Sequence, residues 1–138
     1  MFEESVEKYD SAAGDIDYVT SILLSGAVVG IVAPLLEEQG GHPYHNLLAR
    51  IGNATNDGEK KHPGMYREIY NSLKHTGHKR NKVEPSDDLE FYADLKSEAE
   101  WMLDAAKSDF REVKMSFEVR KTLSKSFLDL LDSDRMFA

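Results

Sequence analysis

Apolar residues recur along this chain at spacings of three and four, and no stretch alternates as a strand would. Ile16, Val19, Leu23, Ala27, Ile31 and Leu35 lay one stripe along a first predicted helix, with Asp15 or Asp17 at its positive end. Gly26 and Gly30, four apart, leave room for another helix to come close, and Pro34 is expected to bend or end the hydrogen bonding. Gly40 and Gly41 close this element. Pro43 to Ile51 then reads as a shorter helix turning Tyr44, Leu47, Leu48 and Ile51 inward, followed by a turn-rich connection from Gly52 to Gly64.

The helical pattern resumes at Met65 with Tyr66, Ile69, Tyr70 and Leu73, and Gly77 is its natural stop. Asn81 to Pro85 links onward. The clearest helix follows, with Ser86 as its cap, Asp87 and Asp88 in its first turn, and Tyr92, Leu95, Ala99, Met102, Ala106, Phe110 and Val113 as its stripe, widened by Trp101 and Leu103. A last amphipathic helix is expected from about Phe117 to Leu131, with Val119, Leu123, Phe127 and Leu130 inward and a frayed tail beyond. These elements predict an all-α fold, an up-and-down bundle of four to five helices in a single domain over residues 1–138. Such bundles bury little alone, so self-association is expected.

With 138 residues, 41% of them hydrophobic, the chain can fill one core of moderate size. It has no cysteine, which removes disulfides and thiolate metal sites and fits a reducing compartment. The longest apolar run, Ile22 to Leu36, is interrupted by Gly26, Gly30 and Pro34 and flanked by acids, so it reads as a buried core helix. Neither a secretion signal nor a membrane anchor is expected, and the cytoplasm is the expected location.

Net charge is −8, but the charge is unevenly spread. Residues 1–40 and 86–138 are acidic, residues 41–85 are basic, and all five histidines (His42, His45, His62, His75, His78) fall in the basic middle. An anion site therefore belongs in that middle third. Its informative stretch runs from Met65 to Arg80. At about 100° per residue, Arg67, Asn71, Lys74 and His75 share roughly one-third of a helix's circumference, while Tyr66, Ile69 and Leu73 share another face. Fixed cations beside a group that titrates near neutral pH suit phosphodiester chemistry. Cleaving RNA without a metal needs a base for the 2′-hydroxyl, an acid for the leaving oxygen and cations for the phosphorane. His75 would serve as base or acid, Arg67 and Lys74 would hold the phosphate, and Asn71 would orient it. His78, Lys79, Arg80 and Lys82 would extend a phosphate-tracking patch. Tyr70, beside them, can stack on a base or pack in the core.

Asn71-Ser72-Leu73-Lys74-His75 resembles the core of the HEPN superfamily motif, an arginine followed by a polar residue and then, a few residues on, by histidine. The wider order of elements is similar too. A long first helix, a short second one, the Asn-x-x-Lys-His helix end, a charged turn with proline and a Glu98 to Phe110 helix span roughly residues 15–114. The resemblance implies a helical bundle that dimerises with two motifs facing one cleft. In many members it also implies a metal-independent endoribonuclease of toxin–antitoxin, phage-defence or related systems, with an antitoxin or other protein as partner. Asn71 matches the polar position and His75 the histidine, but Tyr70 stands where the family has arginine. Arg67, one turn earlier, and Lys74, beside the histidine, are the available substitutes. Some HEPN-like domains are non-catalytic.

Two histidine pairs, His42 with His45 and His75 with His78, have the spacing of paired metal ligands on a helix. Pro43 and Gly77 spoil helical geometry at both, and no metal is expected. No phosphate-binding loop, dinucleotide fingerprint, nucleophile elbow or His-Glu-x-x-His stands in the sequence, so no cofactor is expected either. The competing class is an acidic interaction or inhibitor module that imitates nucleic acid or accepts a partner helix. It would work through acids such as Asp87, Asp88, Glu90, Asp94, Glu98, Glu100 and Asp104, and would tolerate loss of His75.

Overall fold

A computed structural model describes residues 1–55, 67–74 and 94–138. The described residues are all-α, in seven helices: α1 Phe2–Asp10, α2 Asp15–Glu38, α3 Tyr44–Thr55, α4 Glu68–Lys74, α5 Leu95–Glu112, α6 Phe117–Arg120 and α7 Lys125–Asp132. The central contact is α2 against α5, with α1 packed on both and α4 lying on α2.

The helix α1 was not among the expected elements. Only Phe2, Val6 and Tyr9 are apolar among its charges, but their four-and-three spacing sets them on one face, and Phe2 and Val6 are buried. Phe2 meets Phe127 edge-on at 6.3 Å, and Phe127 meets Phe110 at 5.0 Å, so an aromatic group closes this end of the core. Ser5 and Ser21 fix the crossing of α1 on α2. Each hydroxyl donates to the other residue's carbonyl, at 2.7 and 2.9 Å, so both are buried without an unpaired polar group.

The inward face of α2 is not the expected stripe. Ile16, Ile31 and Leu35 are 74%, 55% and 48% exposed, whereas Ser21, Ile22, Ser25, Gly26, Val28, Val29, Val32 and Leu36 are buried. The helix is apolar almost all round, so spacing alone cannot choose a face. Small residues chose it, because α1 and α4 can approach only over Ser21, Ser25 and Gly26. By length and hydropathy α2 would pass for a membrane span; here it carries the core of the bundle. Pro34 does not end it. The acceptor left idle is the carbonyl of Gly30, a residue on the exposed side, and the helix continues to Glu38.

In α3, Leu47 and Ile51 are exposed at 38% and 59%, and the buried positions are His45 and Ala49 instead. Ile69, Tyr70 and Leu73 of α4 face inward, in agreement with their spacing. In α5 the expected stripe is buried or part-buried from Leu95 to Val113, but Trp101 points outward at 49% exposure. Its cap is Asp94, whose carboxylate accepts the backbone N–H groups of Lys96 and Ser97; the start expected at Ser86 lies outside the described residues. The last expected helix is two. Ser116 caps α6 and Ser124 caps α7, and the break between them leaves Phe117 and Val119 exposed.

The tail beyond α7 is held, not frayed. The Asp104 carboxylate accepts the backbone N–H groups of Phe137 and Ala138 at 2.8 and 2.9 Å, and buried Lys107 donates to the Ser133 and Arg135 carbonyls at 2.7 Å. Phe137 sits edge-on to Tyr9, and Arg135 pairs with Asp10. Charge-assisted bonds of this kind are worth more than neutral ones. Asp104→Ala is therefore expected to cost about 2 kcal/mol of unfolding free energy and to make residues 133–138 the first site of limited proteolysis. Unchanged stability and protection would show that the strap carries no load.

Candidate functional site

The helix α4 places the candidate residues, and Gly26 places α4. A Cβ at Gly26 would lie 2.2 to 2.6 Å from the Tyr70 ring, closer than atoms can come, so only glycine lets that ring lie flat against α2. Tyr70 is 7% exposed and belongs to the core cluster. Of the two roles open to it in the sequence, packing is the one it plays.

With Tyr70 inward, Asn71 and Lys74 are both exposed, and Lys74, one turn after Tyr70, holds its ammonium 5.7 Å from the centre of the Tyr70 ring. Arg67 does not join them. It stands immediately before α4 in 3₁₀ geometry, and its guanidinium Nε is buried without a hydrogen-bond partner among the described residues. Its charge is felt by His45 of α3 and Asp109 of α5. The shared face expected for Arg67, Asn71 and Lys74 is thus split, because Arg67 lies ahead of the regular helix. His75, His78, Lys79, Arg80 and Lys82 lie outside the described residues.

One buried group within the influence of the Arg67 charge was not singled out in the sequence. Asp109 is 1% exposed; its Oδ1 accepts the backbone N–H of Tyr44 at 2.7 Å, and its Oδ2 has no hydrogen-bond partner among the described residues. A carboxylate from α5 therefore serves the first residue of α3, where the helix dipole favours negative charge. Burial raises the Asp109 carboxyl to about 6, against the lowering effects of the Tyr44 bond and the Arg67 charge. Burial, helped by the nearby Arg67 charge, lowers His45 to about 4, so the imidazole is neutral near pH 7. The sequence does carry a signal for this site, since Asp109 stands three after Ala106 and seven after Met102, an acid on an inward face.

His42 is exposed whereas His45, three residues on, is buried, so this pair does not converge. Among the described residues no group of three or more histidines and carboxylates is placed to hold a metal ion. The acids expected to form a mimic surface are also divided. Glu100 accepts the Tyr9 hydroxyl at 2.6 Å and Asp104 is buried on the tail, while Asp94 caps α5. Asp87, Asp88 and Glu90 lie outside the described residues.

No protein-family model matches the chain, and no curated protein or solved structure matches it either. Its function rests on its own residues.

Proposed function

We propose that this chain is a HEPN-like helical protein of a defence or toxin–antitoxin type system that acts by binding a protein partner and does not cleave RNA. The observation that carries this reading is the burial of Tyr70. In the resemblance, that position holds the motif arginine; here it holds a core side chain seated on Gly26. The nearest substitute, Arg67, has its Nε buried, and its charge acts on Asp109 and His45. Among the described residues a phosphorane would have Lys74 but not the guanidinium that the resembling motif supplies for metal-free cleavage. Exposed apolar side chains such as Ile16, Leu35 and Trp101 are the kind of surface that association, including that of two copies, uses.

The second reading, a metal-independent endoribonuclease, is favoured by one arrangement. Asn71 and Lys74 are both exposed at the end of α4, directly before His75. One assay separates the two: purified protein with a mixed RNA pool in EDTA, wild type against His75→Ala, scored for 2′,3′-cyclic phosphate ends. The binding reading expects no cleavage that depends on His75. Cleavage lost in His75→Ala would overturn it and make Asn71 and Lys74 the next residues to change.

A further inference from the structure

We propose that the seam between α1 and α7 is a docking groove for an amphipathic basic helix of a protein partner. This rests on the binding reading above and gives the partner its chemistry.

Two hollows adjoin along the seam. One, of about 350 Å³, has apolar walls in Phe2, Val28, Ile31, Leu123 and Phe127 and a polar edge in Glu3, Thr122 and Ser124. Ile31 is 55% exposed at this hollow, so an apolar side chain entering it would cover surface that the fold leaves wet. The other, of about 520 Å³, is walled by Glu3, Val6, Glu7 and Asp10 of α1 with Ser126 and Leu130 of α7. Glu3 lines both hollows.

The acids decide the occupant. Glu3, Glu7 and Asp10 stand four and three apart, which sets them on one face of α1. Asp10 is paired with Arg135. Glu3 accepts the Ser124 and Ser126 hydroxyls at 2.9 and 3.0 Å, so its carboxylate is oriented along the seam by neutral groups that leave its charge in place. A segment lying there needs apolar side chains for the first hollow and lysine or arginine for the second, which is a helix with one apolar and one basic face. A second copy laid groove to groove would set Glu3 and Glu7 against the same acids, and an anionic lipid surface or a nucleic acid would meet the same repulsion.

The probe is a synthetic amphipathic leucine–lysine helix, titrated into the full chain by fluorescence anisotropy beside the same peptide with glutamate for lysine. The lysine peptide is expected to bind and the glutamate peptide not. Ile31→Glu is expected to weaken binding about tenfold or more, and Glu7→Lys about fivefold at low salt with a smaller effect as salt is added. Both residues are exposed, so both variants should fold, and Ile51→Glu, an equally exposed change on α3 that lines neither hollow, should leave affinity unaltered. The proposal is overturned if the lysine peptide fails to bind, or if its affinity ignores Ile31 and Glu7. It is equally overturned if the wild type self-associates in sedimentation through Ile31, or if anionic vesicles are bound through it, since the occupant would then be a second copy or a lipid. None of these results bears on RNA cleavage, which the His75 assay decides separately.

Discussion

Tyr70→Arg, which restores the residue that the resembling family carries at this position, is expected to cost at least about 4 kcal/mol, a large share of the stability of a domain of this size. Two losses add. The tyrosine ring fills the space over Gly26 and is 7% exposed, so removing it opens a cavity between α4 and α2. The guanidinium brings a charge into that space, where the adjoining α2 surface offers Ile22, Val29 and a glycine. Gly26→Ala approaches the same contact from the other helix. Its methyl would meet the ring at 2.2 Å, and the expected cost is about 1–3 kcal/mol despite alanine's better helix propensity. Combined with Tyr70→Ala, it should cost less than the two single changes together, because the ring it collides with is gone. Urea unfolding followed by circular dichroism measures all of these. A folded Tyr70→Arg protein that gains His75-dependent RNA cleavage would place the position in a cleft and reverse the functional reading.

Legibility in the sequence followed how narrowly each helix confines its apolar residues. In α5 the stripe is bounded by charge on the other face, and spacing identified the apolar positions that face the core from Leu95 to Val113, but it wrongly included Trp101 and passed over buried Asp104, Ala105, Lys107 and Asp109. For α2 there was no polar face to bound a stripe, and the expected one came out rotated, leaving Ile16, Ile31 and Leu35 in solvent. The true face was set by which side chains are small, and that depends on the neighbours α1 and α4. The helix α1 was hidden because three apolar residues among six polar or charged ones stabilise little alone; it forms because Phe2 and Val6 have a core to enter. The site was half legible for the same reason. A helical wheel put Asn71 and Lys74 outward and Ile69 and Leu73 inward, as found, but a wheel extended back through Arg67 assumes regular helix, and Arg67 sits before the helix begins. The groups its charge acts on, Asp109 and His45, lie on two other helices far off in sequence, and no local pattern joins those three.

The buried pair Asp109 and His45 yields the second large expectation, a pH dependence that is masked in the wild type and exposed by single substitutions. In the folded chain burial raises the Asp109 carboxyl from 3.8 to about 6, so between those values the native state binds more protons than the unfolded one. Stability from this group therefore rises as pH falls through that window, and the ionised form works against folding at neutral pH. His45 runs the other way. Lowered from 6.5 to about 4, it binds fewer protons when folded, and its contribution is lost as pH falls from 6.5 toward 4. Each effect is on the order of 3 kcal/mol, and the windows overlap, so the two largely cancel. Asp109→Asn keeps an acceptor for the Tyr44 N–H and removes one side of the balance. Relative to wild type, its stability should fall by about 2–3 kcal/mol on going from neutral pH to about 4. His45→Gln should diverge in the opposite sense, gaining relative stability toward acid. Urea midpoints collected across this range for the three proteins give the comparison, and the carboxylates common to all of them drop out of the differences. Parallel profiles would mean that neither group is held as described.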